Sequence, residues 1–220
     1  MSVLQPLVPI FSLPSVVLFP RALLHLQVPE DQFDTAMGEW LAEGAVWGVA
    51  TLRGEVKASP LFDEPAYVFR TVGIGCIVHR ERENGCVSRL VLEGMARGRI
   101  LDGCEPAASP AVQVEILRDH VNVEGVHRKE LAQTFSEMLR AARRVAAAES
   151  ELRDPIRRIL SSHPHPGVVA DLLAHHCVSD TYARQCILAE LDVCRRVHLV
   201  QIQLAQMVTW QPLQPLRRFR

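Results

Sequence analysis

The chain has 220 residues, of which 48% are hydrophobic and 22% are charged, and its formal net charge at neutral pH is −1. These values are typical of a globular protein with one large domain or two small ones. The near-zero charge excludes a global positive field that would attract nucleic acid or acidic lipid. No apolar run reaches the ~18 residues that a membrane span needs, and the six cysteines form no CxxC pair. We therefore expect a soluble cytoplasmic protein with reduced thiols.

The first 118 residues predict a mostly antiparallel β-domain with one helix. Prolines interrupt the opening apolar stretch, so we expect two short strands there, over 16–19 and 22–28, with the first at the centre of the sheet. An apolar stripe predicts a helix over 31–43, which Gly44 would end. A polar loop is expected at 53–65, and further strands at 45–52, 66–79, 87–93 with 96–101, and 112–117.

Two glycine signals organise the later strands. Asn84-Gly85 lies between two apolar stretches and predicts a β-hairpin, because both residues tolerate the positive φ angles of a type I′ turn. Gly94 follows within the second strand of that hairpin, where we expect it to interrupt the strand.

Composition changes after residue 118. Alanine, leucine, arginine and glutamate dominate and apolar residues recur at helical spacing, which predicts a helical bundle over 119–210 and a flexible tail over 211–220. Helix starts are indicated by N-cap residues or by a proline in the first turn, at Asp154-Pro155, Pro166, Ser179 and Asp192.

Three stretches carry motifs of a known family. They read LPSVVLFP at 13–20, VGIGCIV at 72–78 with LVLEGMAR at 90–97, and ADLLA at 170–174 with Gln185, Leu188, LDV at 191–193 and RV at 196–197. Together they resemble the Lon protease N-terminal domain, also called the Lon substrate-binding domain. Arg21 stands where the family often has glycine, and Gly75-Cys76 replaces its usual small or polar pair. The resemblance implies an α+β fold, in which an N-terminal PUA-like, antiparallel β-barrel-like domain with one helix (1–118) precedes a helical bundle.

The same resemblance implies a function. In Lon this region captures substrates and supports oligomer assembly, so we expect a non-enzymatic protein that recognises unfolded or extended polypeptide, as an adaptor in protein quality control. A separate protease or ATPase is a further expected partner. The crevice expected where the two domains meet, near 119–125, could receive an extended peptide. The candidate apolar binding residues are Trp47, Phe62, Tyr67 and Phe69, of which Phe62 lies in the proline-flanked loop.

The lysines argue against catalysis of the kind that full-length Lon performs. The chain has only two, Lys57 and Lys129. Neither follows a glycine and precedes serine or threonine, as a phosphate-binding P-loop requires. A Ser–Lys dyad would need one of them to lose its proton, which a solvated lysine with a pKa near 10 does poorly. We therefore expect no ATPase or protease activity, and no cofactor.

Two other site chemistries are weaker alternatives. A metal site would need several histidines and cysteines to converge, whereas their spacing favours turn-capping and core positions. These residues are His163, His165, His175, His176, Cys177, Cys194 and His198.

The second alternative is that the protein is an RNA-binding PUA-like module. Clusters of arginines in the predicted helical bundle are the feature that suggests it. We expect these clusters to be solvated helix faces that pair with Glu137, Glu149 and Glu151, which makes nucleic acid an unlikely partner. The clusters are Arg140, Arg143 and Arg144, and Arg153, Arg157 and Arg158.

Overall fold

The structure, a computed structural model, describes residues 6–29, 41–52, 69–83, 87–101, 111–121, 125–162 and 165–209. Contacts divide the chain into two compact units. The sheet unit contains Met1–Asp119 and Ser179–Leu191, and the helical unit contains His120–Val178 and Asp192–Arg220. The described part contains both a sheet and a set of helices, which confirms the predicted α+β class.

The described strands of the sheet unit form one mixed sheet. They are β1 (Leu7–Leu13), β2 (Leu23–Pro29), β3 (Val46–Thr51), β4 (Thr71–Glu83), β5 (Val87–Ile100) and β6 (Ala111–Leu117). Their order is β2-β5-β4-β3-β1-β6, and β5 also pairs with β6, so five strands form a closed ring while β2 is attached to β5. The β1–β3 pair is parallel and the other described pairs are antiparallel. The strands predicted at 22–28, 45–52 and 112–117 are confirmed, as is the hairpin of β4 and β5.

Alternating residues of these strands, together with Leu18 and Leu41 from outside them, form two apolar clusters, because successive side chains point to opposite faces of a sheet. One cluster contains Phe11, Leu18, Val28, Leu41, Trp47, Val49, Ile77, Leu90 and Leu92. The other contains Val8, Ala50, Val72, Ile74, Ile100, Val112 and Val114.

The prediction of a central strand over 16–19 is wrong. The segment between β1 and β2, which we call the crossing segment (residues 14–22), forms no strand, although Val17, Leu18 and Phe19 are fully buried. A Cβ on Gly73 would overlap the carbonyl oxygen of Leu18, and one on Gly94 would overlap that of Phe19. The crossing segment therefore lies directly on strands β4 and β5 instead of pairing beside them. Its apolar composition reflects burial without strand structure.

The carbonyl groups of the crossing segment find partners outside a ladder, as buried backbone groups require. The Thr51 hydroxyl donates to the Val16 carbonyl at 2.5 Å, and Arg184 Nη2 donates to the Val17 carbonyl at 3.1 Å. The amide of Ala22 donates to the Phe19 carbonyl at 3.1 Å, which closes the turn before β2. Side chains thus replace a neighbouring strand.

Glycine at position 94 does not interrupt β5, contrary to the sequence-based prediction. The strand continues from Val87 to Ile100, and the register shifts by one residue between Gly94 and Ala96, where Met95 is left without a partner on β4. This irregularity accompanies the close approach of the crossing segment. Gly94 therefore serves packing, and the strand bends without ending.

Helix α4 (Thr181–Ala189) belongs to the sheet unit. Its N-cap is Asp180, one residue after the predicted Ser179, and the Asp180 carboxylate accepts a hydrogen bond from the Ala183 amide at 2.6 Å. Gln185 Nε2 donates to the Thr71 carbonyl at 2.6 Å. From the sheet, Arg97 Nε donates to the Leu188 carbonyl at 2.9 Å. These bonds fix α4 to the edge of the strands.

The helical unit consists of α1 (Gly125–Ala148), α2 (Ser150–Ser162), α3 (Pro166–Cys177) and α5 (Val193–Thr209) among the described residues. The predicted starts at Pro166 and after Asp192 are confirmed, and the Asp192 carboxylate accepts from the Arg195 amide at 3.0 Å. The predicted start at Asp154-Pro155 is wrong, because α2 begins at Ser150 and includes Pro155. Pro155 has no N–H group to donate to the Glu151 carbonyl, so one helical hydrogen bond is absent there.

A buried ion pair lies in the core of the helical unit. Arg196 Nε is 3.2 Å from Asp171 Oδ1, and both side chains are almost fully buried. The two residues come from the two halves of the third sequence motif, so this motif records a packing requirement of the unit.

Several predicted features lie outside the described residues. These are the helix at 31–43 apart from its end, the loop at 53–65 and the tail at 211–220. Gly44 has a φ of +89°, which is the left-handed conformation that glycine adopts at helix ends.

Candidate functional site

One face of the sheet is buried at one end and exposed at the other. Residues 46, 48 and 50 of β3 share this face, and Ala50 is buried in the cluster around Val72 and Ile74. Val46, at the other end of the strand, is 41% exposed. On β4 the same alternation places two residues on this face, the buried Ile74 and the half-buried Cys76. The apolar face therefore continues beyond the part that the ring covers.

Strand register defines the exposed part. Val46 pairs with Cys76, Cys76 with Glu93, and Glu93 with Leu23, so one row of side chains crosses four strands. With strands ~4.8 Å apart, the row is about 14 Å long. A second row on the same face contains His79, Val91 and His25. We call the apolar members of this surface the open sheet face: Leu23, Val46, Cys76, Val78 and Val91.

The open sheet face offers apolar area to solvent. Leu23 is 51% exposed and Val78 is 44% exposed. Val78 lies at a register shift between Ile77 and His79, which turns an additional side chain outward. Contiguous exposed apolar residues with a polar margin mark interaction sites more often than single ones do. Glu93 lies within the first row, between Cys76 and Leu23, and His79 of the second row forms a pair with Glu43 at a separation of 3.6 Å.

The structure places the predicted aromatic residues in different environments. Trp47 is 2% exposed and stacks on Phe11 with the ring centroids 3.9 Å apart, so it is a core residue and adds nothing to a surface. Phe69 is half-buried, and its ring lies 6.1 Å from that of Tyr182, which is 66% exposed. Phe62 and Tyr67 lie outside the described residues. Of the four predicted residues, the structure thus places Trp47 in the core and Phe69 beside Tyr182.

Sequence-based reasoning missed the exposed residues of the open sheet face. Along β2, Leu24, Leu26 and Val28 are half-buried or buried, while His25 and Gln27 are exposed. By the same alternation Leu23 belongs with the polar residues. A leucine on the polar side of the strand was the sequence feature that could have indicated this exposed apolar surface.

The described histidines and cysteines do not assemble a metal site. No group of three or more metal-ligating side chains occurs among the residues that the structure describes. His165 instead caps α3, where its Nδ1 accepts from the Gly167 amide at 3.2 Å.

The pKa values of three of these side chains are shifted. Burial raises the pKa of the Cys177 thiol to about 12. Burial, together with the nearby carboxylates of Glu130 and Asp192, also raises the pKa of the Cys194 thiol. Burial and then Arg158 lower the pKa of His176.

Within the described part of the chain, the structure contains no helix with the length and apolarity to cross a membrane.

Two solved structures share this fold. The N-terminal domain of the Mycobacterium avium complex Lon protease superposes with a TM-score of 0.59 at 17% identity, over 91% of this chain and 98% of that one. A Lon N-terminal domain protein from Xanthomonas campestris gives a TM-score of 0.53 at 19% identity, over 94% and 99%. The fold is thus that of a Lon N-terminal domain.

The sequence gives the family directly. The model of the ATP-dependent protease La (LON) substrate-binding domain matches residues 7–206, and the chain belongs to this family. It is 26% identical over 192 residues to Lon protease 2 of Myxococcus xanthus and 29% identical over 198 residues to the Lon protease of Roseiflexus castenholzii. Each match covers 87% of this chain but only 22% and 23% of the relative. The chain therefore spans less than a quarter of the length of these relatives.

Proposed function

We propose that the protein binds unfolded or extended polypeptide through the open sheet face and neither hydrolyses nucleotide nor cleaves its ligand. The observation that carries the proposal is an exposed sheet face in a member of a substrate-binding family, where one row of side chains crosses four strands and three of its four members are apolar. Extended polypeptide suits this surface, because its apolar side chains are accessible and those of a native protein are covered.

The expected affinity is moderate. Burial of apolar area contributes roughly 25 cal/mol per Å², but ordering a flexible ligand consumes much of that free energy. A row about 14 Å long meets only a few residues of an extended chain. A micromolar dissociation constant is consistent with these terms, and weak capture suits a protein that releases its ligand.

The family also suggests a setting. Because the relatives carry this region within Lon proteases, we propose that the protein acts as an adaptor that delivers captured polypeptide to a separate ATP-dependent protease. The free thiols of Cys76, Cys177, Cys186 and Cys194 fit a reducing cytoplasm.

The proposal is tested by measuring binding of reduced, carboxymethylated lactalbumin and of the same protein in its native, disulfide-bonded form. We expect micromolar binding of the unfolded form and none of the native form. Equal binding of both forms, or binding of neither, would show that polypeptide capture is the wrong function.

A pair of matched variants tests the surface. Leu23→Ser/Val46→Ser removes two apolar side chains from the open sheet face, and Leu7→Ser/Ile116→Ser removes two exposed ones from β1 and β6. We expect the first variant to weaken binding about tenfold, which corresponds to ~1.4 kcal/mol. The control should bind as the unaltered protein does. Equal losses in both variants would place the binding elsewhere.

A further inference from the structure

A basic pocket lies in the helical unit. It has a volume of about 620 Å³, and the described residues that line it are Glu137, Arg140, Arg143 and Arg144 of α1 and Gln201 of α5. This volume is within the ~300–1,000 Å³ of typical ligand-binding pockets. It contains three of the arginines that were expected to form a solvated helix face.

Ion pairing within the pocket is weak. Arg140 Nη2 is 3.9 Å from Glu137 Oε1, and the two side chains are 68% and 37% exposed. Arg143 and Arg144 are exposed and make no ion pair with another described residue. Among the lining residues that the structure describes, three arginines and one glutamate leave a formal charge of +2. Like charges three and four residues apart also destabilise a helix by roughly 0.2–0.5 kcal/mol per pair, so helix stability alone gives no reason for this arrangement.

The guanidinium groups favour a ligand with several carboxylates or phosphates. Arginine presents N–H donors in a fixed, planar arrangement that matches either anion in a bidentate manner. Exposed arginines such as these also attract a polyanion over several ångströms, an effect that salt weakens. A ligand with more than one negative group can use all three of them.

The other two lining residues favour carboxylates on a peptide. Glu137 has only acceptor atoms, and the Gln201 amide has an acceptor as well as its two donors. A phosphate chain has no N–H group for these acceptors and would place more negative charge beside Glu137. An extended peptide carries backbone N–H donors between its acidic side chains, so it can satisfy both kinds of lining group.

We propose that this pocket is a second polypeptide-binding site, which recognises acidic segments through Arg140, Arg143 and Arg144. It differs in chemistry from the open sheet face and does not depend on it. A ligand that combines apolar and acidic stretches could engage both sites, and each would then increase the effective concentration at the other.

The test uses the full chain and a short fluorescent peptide of alternating glutamate and glycine, with the glutamine–glycine peptide as the neutral probe. We expect the acidic peptide to bind, the neutral one not to bind, and added salt to weaken the complex. Arg143→Gln/Arg144→Gln should lower the affinity about tenfold. The matched control is Arg157→Gln/Arg158→Gln, which removes the same charge from exposed positions on α2 and should have little effect.

The outcomes separate this proposal from its alternatives. Equal losses in the two double variants would mean that net charge alone attracts the peptide and would overturn the proposal. Stronger binding of triphosphate or of single-stranded RNA than of the acidic peptide would overturn the choice of polypeptide. Failure of the acidic peptide to bind would also overturn it. If the Arg143→Gln/Arg144→Gln variant still binds carboxymethylated lactalbumin, the open sheet face binds polypeptide without the basic pocket.

Discussion

At the scale of single residues, Arg21 shows how this chain departs from its family. It occupies a position where a glycine is common, and its φ is +67°, in the left-handed region. Its amide donates to the Gly94 carbonyl at 2.7 Å, which holds the turn before β2 in place. The turn therefore keeps a backbone conformation suited to glycine, although the residue has a Cβ, and this costs about 1–2 kcal/mol.

Substitution at this position should reveal that strain. Arg21→Gly relieves it but gives the unfolded chain more freedom, so we expect a small net stabilisation, roughly 0.5 kcal/mol. Arg21→Val should destabilise the protein, because a β-branched residue fits a positive φ poorly. Urea denaturation of both variants measures the difference, which we expect to be at least ~1 kcal/mol. Equal stability of the two would mean that the turn is not strained.

The buried thiol of Cys177 links stability to pH. Burial raises its pKa from the ordinary 9.0 to about 12, so between these values the folded protein keeps a proton that the unfolded chain loses. The stability that this provides is fully present below pH 9 and is lost as the pH rises toward 12.

A Cys177→Ala variant isolates this contribution, since the other titrating groups are common to both proteins. From pH 9 upward, the unfolding free energy of the unaltered protein should fall faster than that of the variant, by about 1.4 kcal/mol per pH unit. Denaturation at pH 8 and at higher pH measures it. Parallel pH profiles would show that the thiol is accessible to solvent.

At the scale of elements, local sequence signals predicted most of the strands and helix ends. Alternating apolar residues located β2, β3 and β6, and the Asn84-Gly85 signal located the β4–β5 hairpin. The crossing segment was misinterpreted because burial on all sides produces the same apolar run as a central strand. Only tertiary contacts distinguish the two, and its hydrogen-bond partner Arg184 lies 167 residues away.

The same tertiary contacts explain the family motifs. The first motif lies on glycines of the second, and Gln185 of the third bonds to the Thr71 carbonyl at the start of β4. The Asp171–Arg196 pair of the third motif lies in the core of the helical unit, so the motifs record the internal packing of both units. They identified the fold without identifying a binding surface.

Close packing at the crossing segment gives a test at this scale. Gly94→Ala places a methyl group against the Phe19 carbonyl, and we expect it to destabilise the protein by about 3 kcal/mol or more. Gly44→Ala is the control. Its φ of +89° costs ~1–2 kcal/mol, but no other heavy atom lies within 4 Å of the added carbon. Thermal unfolding compares them, and equal losses would contradict the packing account.

At the scale of the whole molecule, two surfaces of different chemistry occur in two compact units. The sheet unit carries the apolar open sheet face, and the helical unit carries a basic pocket. The sequence predicted the family and polypeptide as the ligand, but it could not locate either surface. Whether Leu23 or Val46 is exposed depends on how far the ring of strands covers their face. Whether three arginines share a pocket depends on which helix lies beside α1.

The central claim is that extended polypeptide binds to the open sheet face, and site-specific photo-crosslinking tests it most directly. A benzoylphenylalanine at Val78 should crosslink to carboxymethylated lactalbumin and not to the native form. The same group at Leu7, which is more exposed but lies on β1 outside this face, should crosslink to neither. Equal crosslinking from both positions, or crosslinking from Leu7 alone, would contradict the claim.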